Sequence, residues 1–350
     1  MKQHAFVMTV LGPIPAQSLG ITLPHEHLFI DLRFIKAKNE WTTEKISIRN
    51  LHRLAIDYTC LSDNLLLNSI VTAIDEIKQY SKFGGCSVVE VSSIGTGRKP
   101  CAVKRVSEAT KVNMVIGTGF YVKQTMGQAV LQTPAAKLLK SLLRECVLGY
   151  RNSGIRPGII GEIGVGPQLD EWDLKSLRIA CELQKETGLP LSIHIQAVPI
   201  IKGFTKPNGV KVVDMLEKYG ADLHRTVIGH SDAKIDMEYL HKLLRRGVYV
   251  ELDHFGKNFY FPETNFQMSN DMDRIQAISA LIADGNGSRL LISSDLCLKQ
   301  DLIRYGGHGY AHLLETVVPM MLSNGISPDS IDLLMRSNPQ ELLAIDPKYL

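Results

Sequence analysis

The sequence predicts a (β/α)8 barrel, the TIM-barrel class of α/β folds, and three observations predict it. The first is a series of short apolar runs bounded by turn residues, at 158–161, 191–193, 226–229 and 290–294. Such runs mark strands buried on both faces. The second is what ends each run: Glu162, His194, His230 and Asp295, all residue types that hold metal ions. The third is spacing, with intervals of 32, 36 and 65 residues between these four positions. One strand, one helix and two loops take roughly 30 to 40 residues in a barrel of about 250. The intervals therefore read as one, one and two β/α units, with the polar ends converging on one mouth of a parallel sheet. Upstream, Thr22-Leu23-Pro24 leads into His25-x-His27. Residues i and i+2 of a strand share a face, so this pair can grip one ion.

The elements follow in order. Residues 6–11 and 18–22, flanking Gly12-Pro13-Ile14-Pro15, read as a β-hairpin delivering the chain to the first barrel strand. Residues 33–62 have no clean period and carry Trp41 and many charges, so they are expected as an insertion overhanging the site. Helical spacing over 65–83 stops at Gly84-Gly85, which suits a left-handed cap. Strands are expected at 86–91 and 112–117, then a long helix after Pro134. Beyond Glu162, residues 173–187 read as helix four, closed by Gly188. Helical patterns at 210–219, 237–246 and 272–283 alternate with strands ending at His194, His230, Leu252 and Asp295. Helix eight is expected over 309–324, and Ser337-Asn338-Pro339-Gln340-Glu341 reads as the start of a final packing helix, a C-terminal helical extension. No linker, repeat or low-complexity tract interrupts the pattern, so residues 1–350 are expected to form one domain.

Bulk properties narrow the function classes. A hydrophobic fraction of 45% suits a chain with a sizeable core, and a formal charge of +3 with no dense basic block excludes a polyanion binder. No nucleic-acid or membrane partner is expected; the partner is a small-molecule substrate, with a homodimer as the expected assembly. Six cysteines form no C-x-x-C pair, which favours reduced thiols in the cytoplasm. Lys2, then 5–8 and Ala16, faintly imitate a signal peptide, but Gly12-Pro13 breaks the apolar part.

Six ligand types at successive strand ends point to a binuclear centre. Zinc takes imidazole nitrogen and carboxylate oxygen and keeps a position open for water. Mn2+, Co2+ and Fe2+ are the alternatives. The natural partition puts His25, His27 and Asp295 on a buried ion and His194 and His230 on a more exposed one, with Glu162 bridging.

The chain resembles the phosphotriesterase family of the amidohydrolase superfamily over nearly its whole length. The pieces that carry the resemblance are Leu23-Pro24-His25-Glu26-His27, Val88-Val89-Glu90 with Gly95-x-Gly97-Arg98, and Gly117-Thr118-Gly119-Phe120-Tyr121. Further on come Gly161-Glu162-Ile163-Gly164, Ile228-Gly229-His230-Ser231-Asp232, Ser294-Asp295-Leu296-Cys297 and Gly306-Gly307-x-Gly309-Tyr310-Ala311-His312. Many members bridge their metals with a carbamylated lysine; here Glu162 stands in that place, as in the phosphotriesterase homology proteins and related lactonase-like branches. The resemblance implies that Asp295 both ligates and accepts a proton from the attacking water, and that His254 passes it onward. The family's best-known phosphotriesterases carry an acid three residues after the strand-six histidine, where this chain has Ala233, so that relay is expected to lack its acid. Tyr121 matches a tyrosine facing the reaction centre in lactonase branches.

Lys257, Lys299, Arg304 and Tyr305 follow strands seven and eight and are read as substrate receptors, suited to phosphate. Arg98 is expected to order loops and Cys297 to pack. His4, His52, His224, His241 and His308 are read as surface or supporting residues. The leading functional expectation is a metal-dependent lactonase or carboxylic-ester hydrolase, acting on a sugar lactone that carries or lacks a phosphate, by attack of a hydroxide held between the ions. A phosphotriesterase and a non-catalytic metal- or ligand-binding barrel are the alternatives. The loop 255–266, which carries Lys257 and Glu263, makes a poor dry pocket for a triester.

Overall fold

A computed structural model describes residues 5–199 and 206–349; His4 lies outside the described residues. Eight parallel strands form one sheet: β1 (Thr22–Glu26), β2 (Ser87–Glu90), β3 (Asn113–Thr118), β4 (Ile159–Val165), β5 (Leu191–Ile195), β6 (Thr226–Ile228), β7 (Tyr249–Leu252) and β8 (Leu290–Ile292). They neighbour one another in sequence order from β1 to β8. Every residue of β1, β2, β4, β6, β7 and β8 is buried, as doubly covered parallel strands require. The first and last strands meet through side chains. Ser293 Oγ accepts the His25 N–H at 3.1 Å, and Glu26 accepts the N–H groups of Ser294 and Leu296 at 2.9 and 2.8 Å. Burial pushes the Glu26 carboxyl up to about 7, against the pull of those two N–H donors.

Each strand is followed by a helix. These are α1 (Ile70–Lys82), α2 (Pro100–Thr110), α3 (Ala135–Leu148), α4 (Glu171–Thr187), α5 (Gly209–Lys218), α6 (Met237–Leu244), α7 (Asp271–Ala283) and α8 (Val318–Ser323). The sequence reading passed over α2, where Pro100 opens the helix and Ala102, Val103 and Val106 supply a narrow buried stripe between charged residues. Helix α4 starts with a reciprocal capping box between Asp170 and Asp173 and ends on Gly188 at φ +63°.

Three boundaries differ from expectation. The hairpin pairs Phe6–Thr9 with Gly12–Pro15, so the Gly-Pro-Ile-Pro stretch is its second strand and residues 18–22 are not part of it. The pairing alternates from Ala5, whose carbonyl accepts the Ala16 N–H at 3.1 Å. Pro13 and Pro15 therefore fall at pairs that need no N–H from their strand. Helix α8 is preceded by a π-helical turn, Leu313–Val317, and starts later than residue 309. The final helix begins at Ser327, which caps Ser330 N–H ahead of Pro328, and runs through a π segment, Leu333–Ser337, into Asn338–Leu343. Ser337 is thus mid-helix. Pro319 and Pro339 each sit just past a π segment, where the i→i−4 ladder is already interrupted and a missing N–H costs least.

The insertion after β1 is partly helical, with short turns at Arg33–Ile35 and Lys38–Glu40 and a helical turn at Leu51–Leu54. No helix among the described residues is long and apolar enough to cross a membrane.

Candidate metal centre

The six expected ligands meet at the C-terminal mouth of the barrel. His25, His27 and Asp295 bring ligand atoms within 4.8 Å of one another, as do Glu162, His194 and His230. The Glu162 carboxylate lies between the two groups. Its Oε1 is 3.4 Å from His27 Nε2; its Oε2 is 3.4 Å from His25 Nε2, 3.2 Å from His194 Nδ1 and 3.5 Å from His230 Nε2. Asp295 Oδ1 lies 3.2 Å from His27 Nε2. Two ligands each about 2.1 Å from one tetrahedral ion would be roughly 3.4 Å apart, which matches these separations.

Local backbone sets these directions. His230 and Asp295 adopt φ +54° and +45°, left-handed conformations that turn each side chain inward as its strand ends. Such residues cost roughly 1–3 kcal/mol each and persist where surrounding structure over-determines them. Gly161, at φ +125°, lies where a Cβ would strike the Ser192 carbonyl, so only glycine lets β4 present Glu162 here.

The histidine tautomers follow from their outward partners. His25 Nδ1–H donates to Glu251 Oε2 at 2.8 Å and His230 Nδ1–H to Asp253 Oδ1 at 3.0 Å. Ser92 gives its hydroxyl proton to Glu90 at 2.6 Å and so accepts from His27 Nδ1–H at 2.8 Å. Burial pushes the Glu90 carboxyl up to about 7, with His27 and Ser92 opposing it. All three Nε2 atoms are therefore bare and face carboxylate oxygens. His25 Nε2 and Glu162 Oε2 are buried without a hydrogen-bond partner, and His230 Nε2 lies only 2.7 Å from His194 Nδ1. Bare lone pairs facing one another call for cations, either protons or metal ions. Accordingly the His230 imidazole is raised to about 10; burial opposes this and Asp253 drives it. Burial raises the Glu162 carboxyl, but the surrounding histidines, His194 first, outweigh that and hold it well below its usual range. The donor set, tautomers and orphaned atoms fit two divalent ions.

The remaining candidates are placed unevenly. Tyr121 is buried, with its hydroxyl 3.1 Å from His194 Nδ1. The His254 ring lies tilted 5.0 Å from that of His230, and its Nδ1–H donates to Asp232 Oδ1 at 2.7 Å. Asp232 is itself held by the buried Arg274 at 2.6 Å. This corrects the expectation set by Ala233: the acid behind His254 is present one position earlier. Arg98 fastens its own loop to β3 and α3, bonding the Gly117 carbonyl and Glu145.

The expected receptors do not gather. Lys299 is tied to Asp63 at 2.8 Å and borders, with Tyr305, a separate small cavity. The Arg304 side chain is exposed and its backbone N–H caps Glu76. Lys257 does line the site, but its ammonium is bonded to Asp295 Oδ2 at 2.6 Å. Cys297 also lines the site, 3.4 Å from that ammonium, so it does more than pack. A cavity of about 130 Å³ opens directly above Glu162. Its walls are apolar, from Ile30, Leu32, Phe34, Ile35, Val122, Phe259, Phe261 and Met268. Tyr58 of the insertion stacks on Phe259 at 5.0 Å and meets Phe261 edge-on at 6.3 Å, so two loops join over the site.

The sequence reading missed Glu90, Ser92, Asp232, Glu251 and Asp253. Two acids two residues apart at the end of the buried β7 were a usable signal, since an apolar interior tolerates carboxylates only beside cations or donors.

Comparison with known proteins agrees with this geometry. The phosphotriesterase family model matches residues 5–343. An N-acetyltaurine hydrolase from Xenopus tropicalis is 34% identical, with 96% of this chain and 97% of that protein covered. Another, from Dictyostelium discoideum, is 32% identical, with 97% and 98% covered. The crystal structure of a resiniferatoxin-binding protein from Rhodobacter sphaeroides superposes with a TM-score of 0.89 at 34% identity, covering 97% of this chain and 94% of that one. With its ligand cluster at the barrel mouth, the chain belongs to the phosphotriesterase family, metal-dependent hydrolases of ester- and amide-type bonds.

Proposed function

We propose that His25, His27 and Asp295 hold one divalent ion, that His194 and His230 hold a second, and that Glu162 bridges them. The substrate we propose is a small acyl compound, first an amide with a short acyl group and second a lactone. The observation that carries this choice is the cavity of about 130 Å³ above Glu162. Ligand pockets commonly span roughly 300–1,000 Å³, so this one suits a short acyl group better than the three arms of a phosphotriester. The amide takes precedence because full-length relatives at 32–34% identity are N-acetyltaurine hydrolases. A lactone presents the same kind of carbonyl, and Tyr121 at the cluster favours keeping it as the second reading. The phosphorylated sugar lactone loses its support, because Lys299, Arg304 and Tyr305 do not line this cavity.

Bound divalent ions would polarise the carbonyl and make water nucleophilic at neutral pH. The chain's own residues do the rest. Apolar walls exclude bulk water and orient the acyl group. Asp295 would take the proton from the attacking water and return it to the leaving nitrogen or oxygen. His254, anchored by Asp232, offers the exit for a proton that is not returned. The Tyr121 hydroxyl, beside His194, is placed to donate to the carbonyl oxygen as charge builds on it. The test is a screen of metal-loaded protein against N-acetyltaurine, other N-acetyl amines, plain and phosphorylated lactones and paraoxon-like triesters. Turnover of short-chain amides above all others is expected. A triester as the best substrate would overturn the reading.

A further inference from the structure

The reading of Lys257 that follows rests on the metal centre proposed above and adds a residue to it. We propose that Lys257 is a positioning residue that clamps Asp295 in its ligating pose, and is not a receptor for an anionic part of the substrate. Lys257 is 4% exposed although it lies on the loop after β7. Its Nζ donates to Asp295 Oδ2 at 2.6 Å, to the backbone carbonyl of the same residue, and toward Cys297 Sγ at 3.4 Å. An ammonium has three hydrogens, so none remains for a ligand. Both ends of Asp295 are thereby gripped by one cation, at a residue whose φ of +45° lies in the left-handed region that few side-chain-bearing residues adopt. With Oδ2 occupied, Oδ1 is the oxygen left to face His27 Nε2 at 3.2 Å. Lys257 borders the cavity, but its ammonium hydrogens are directed at Asp295 and Cys297.

Lys257→Met keeps the buried stem and deletes the ammonium, and Lys257→Gln is the second variant if the first does not fold. Two readouts apply: ions retained per chain against rising chelator, and the split between kcat and KM. The clamp predicts that one ion leaves at roughly 10–100-fold lower chelator concentration, the range found when a partner behind a ligand is removed. It also predicts a similar fall in kcat on neutral and anionic substrates alike, with KM within about threefold. Ethylammonium added to Lys257→Ala should restore ion retention, and should do nothing for Asp295→Asn. Wild-type retention of both ions in Lys257→Met would overturn the clamp, as would a rise in KM confined to anionic substrates. Glu162→Ala separates this from the underlying centre: if that variant keeps both ions, the centre itself is misread, whatever Lys257 does.

Discussion

The two halves of the proposed centre are built differently. In the inner half each ligand is backed: His25 by Glu251, His27 by Ser92 and through it Glu90, and Asp295 by Lys257. The imidazole of His25 is fully buried. In the outer half only His230 has a carboxylate behind it, Asp253. The His194 side chain is 18% exposed, and the Tyr121 hydroxyl lies beside its ring, 3.1 Å from Nδ1, the nitrogen that faces Glu162, and 3.3 Å from Nε2. Backing partners fix ring orientation and raise ligand basicity. The inner ion should therefore be held as part of the structure, while the outer one, next to the cavity, exchanges and meets the substrate.

The largest effect should come from removing what both halves share. Glu162→Ala, and equally Glu162→Gln, should cut activity at least ~10³-fold, about 4 kcal/mol in the barrier, because a neutral side chain cannot offset two cations. Substantial activity in either variant, measured after full metal loading, would contradict a common bridge.

Next come substitutions that act on one half. Glu251→Gln keeps a hydrogen bond to His25 but loses its charge, and should weaken the inner ion roughly tenfold. Tyr121→Phe should leave the inner ion untouched and speed loss of the outer one. Chelator-driven release, followed as two phases, distinguishes the halves; if both variants shift the same phase, the asymmetry is wrong.

A smaller effect concerns stability outside the centre, where the His308 and His312 rings meet at a tilt, 4.5 Å between centroids, and Asp271 holds His312 at 2.7 Å. Burial first, then His312 and Lys257, push the His308 imidazole down to about 3. It is neutral in the fold and takes a proton on unfolding below its ordinary pKa. The unfolded chain then binds more protons, so stability should fall as pH drops from about 6.5 toward 3, by about 1.4 kcal/mol per pH unit. The Asp271 carboxyl is lowered, since the His312 hydrogen bond and the Gly256 N–H outweigh burial. Its contribution is present above the ordinary carboxylate value and is lost below roughly pH 4. Melting curves of His308→Gln and the wild type should converge as pH falls from 7 to 5; parallel curves would remove His308 from the account.

The smallest expected effect is none at all. Because the proposed bridge is Glu162, reconstitution of metal-free protein should proceed equally with and without bicarbonate. A bicarbonate requirement would mean that a lysine carbamate serves the metals.

Much of this was legible from the chain. Strand ends announce themselves because a buried apolar run tolerates a histidine or carboxylate only where it meets a partner, so the six residues that cluster at the mouth could be read in order. Their backing was harder to see. Glu251 and Asp232 look like ordinary strand and loop acids until the barrel curls them toward His25 and His254. Lys257 looked like a receptor because sequence shows a charge near the mouth and cannot show that its hydrogens are already taken by Asp295. Helix α2 escaped because its stripe is short, and the hairpin turn because Gly-Pro is a turn signal whose register was set instead by pairing with Phe6–Thr9.

The most direct measurement is the number of divalent ions bound per chain, by native mass spectrometry of wild type and Glu162→Ala prepared in parallel. Two ions on the wild-type chain, and their loss in the variant with the fold intact by circular dichroism, are what the shared bridge predicts. A wild-type chain that binds no ion, or a Glu162→Ala chain that holds two as firmly as the wild type, would contradict it.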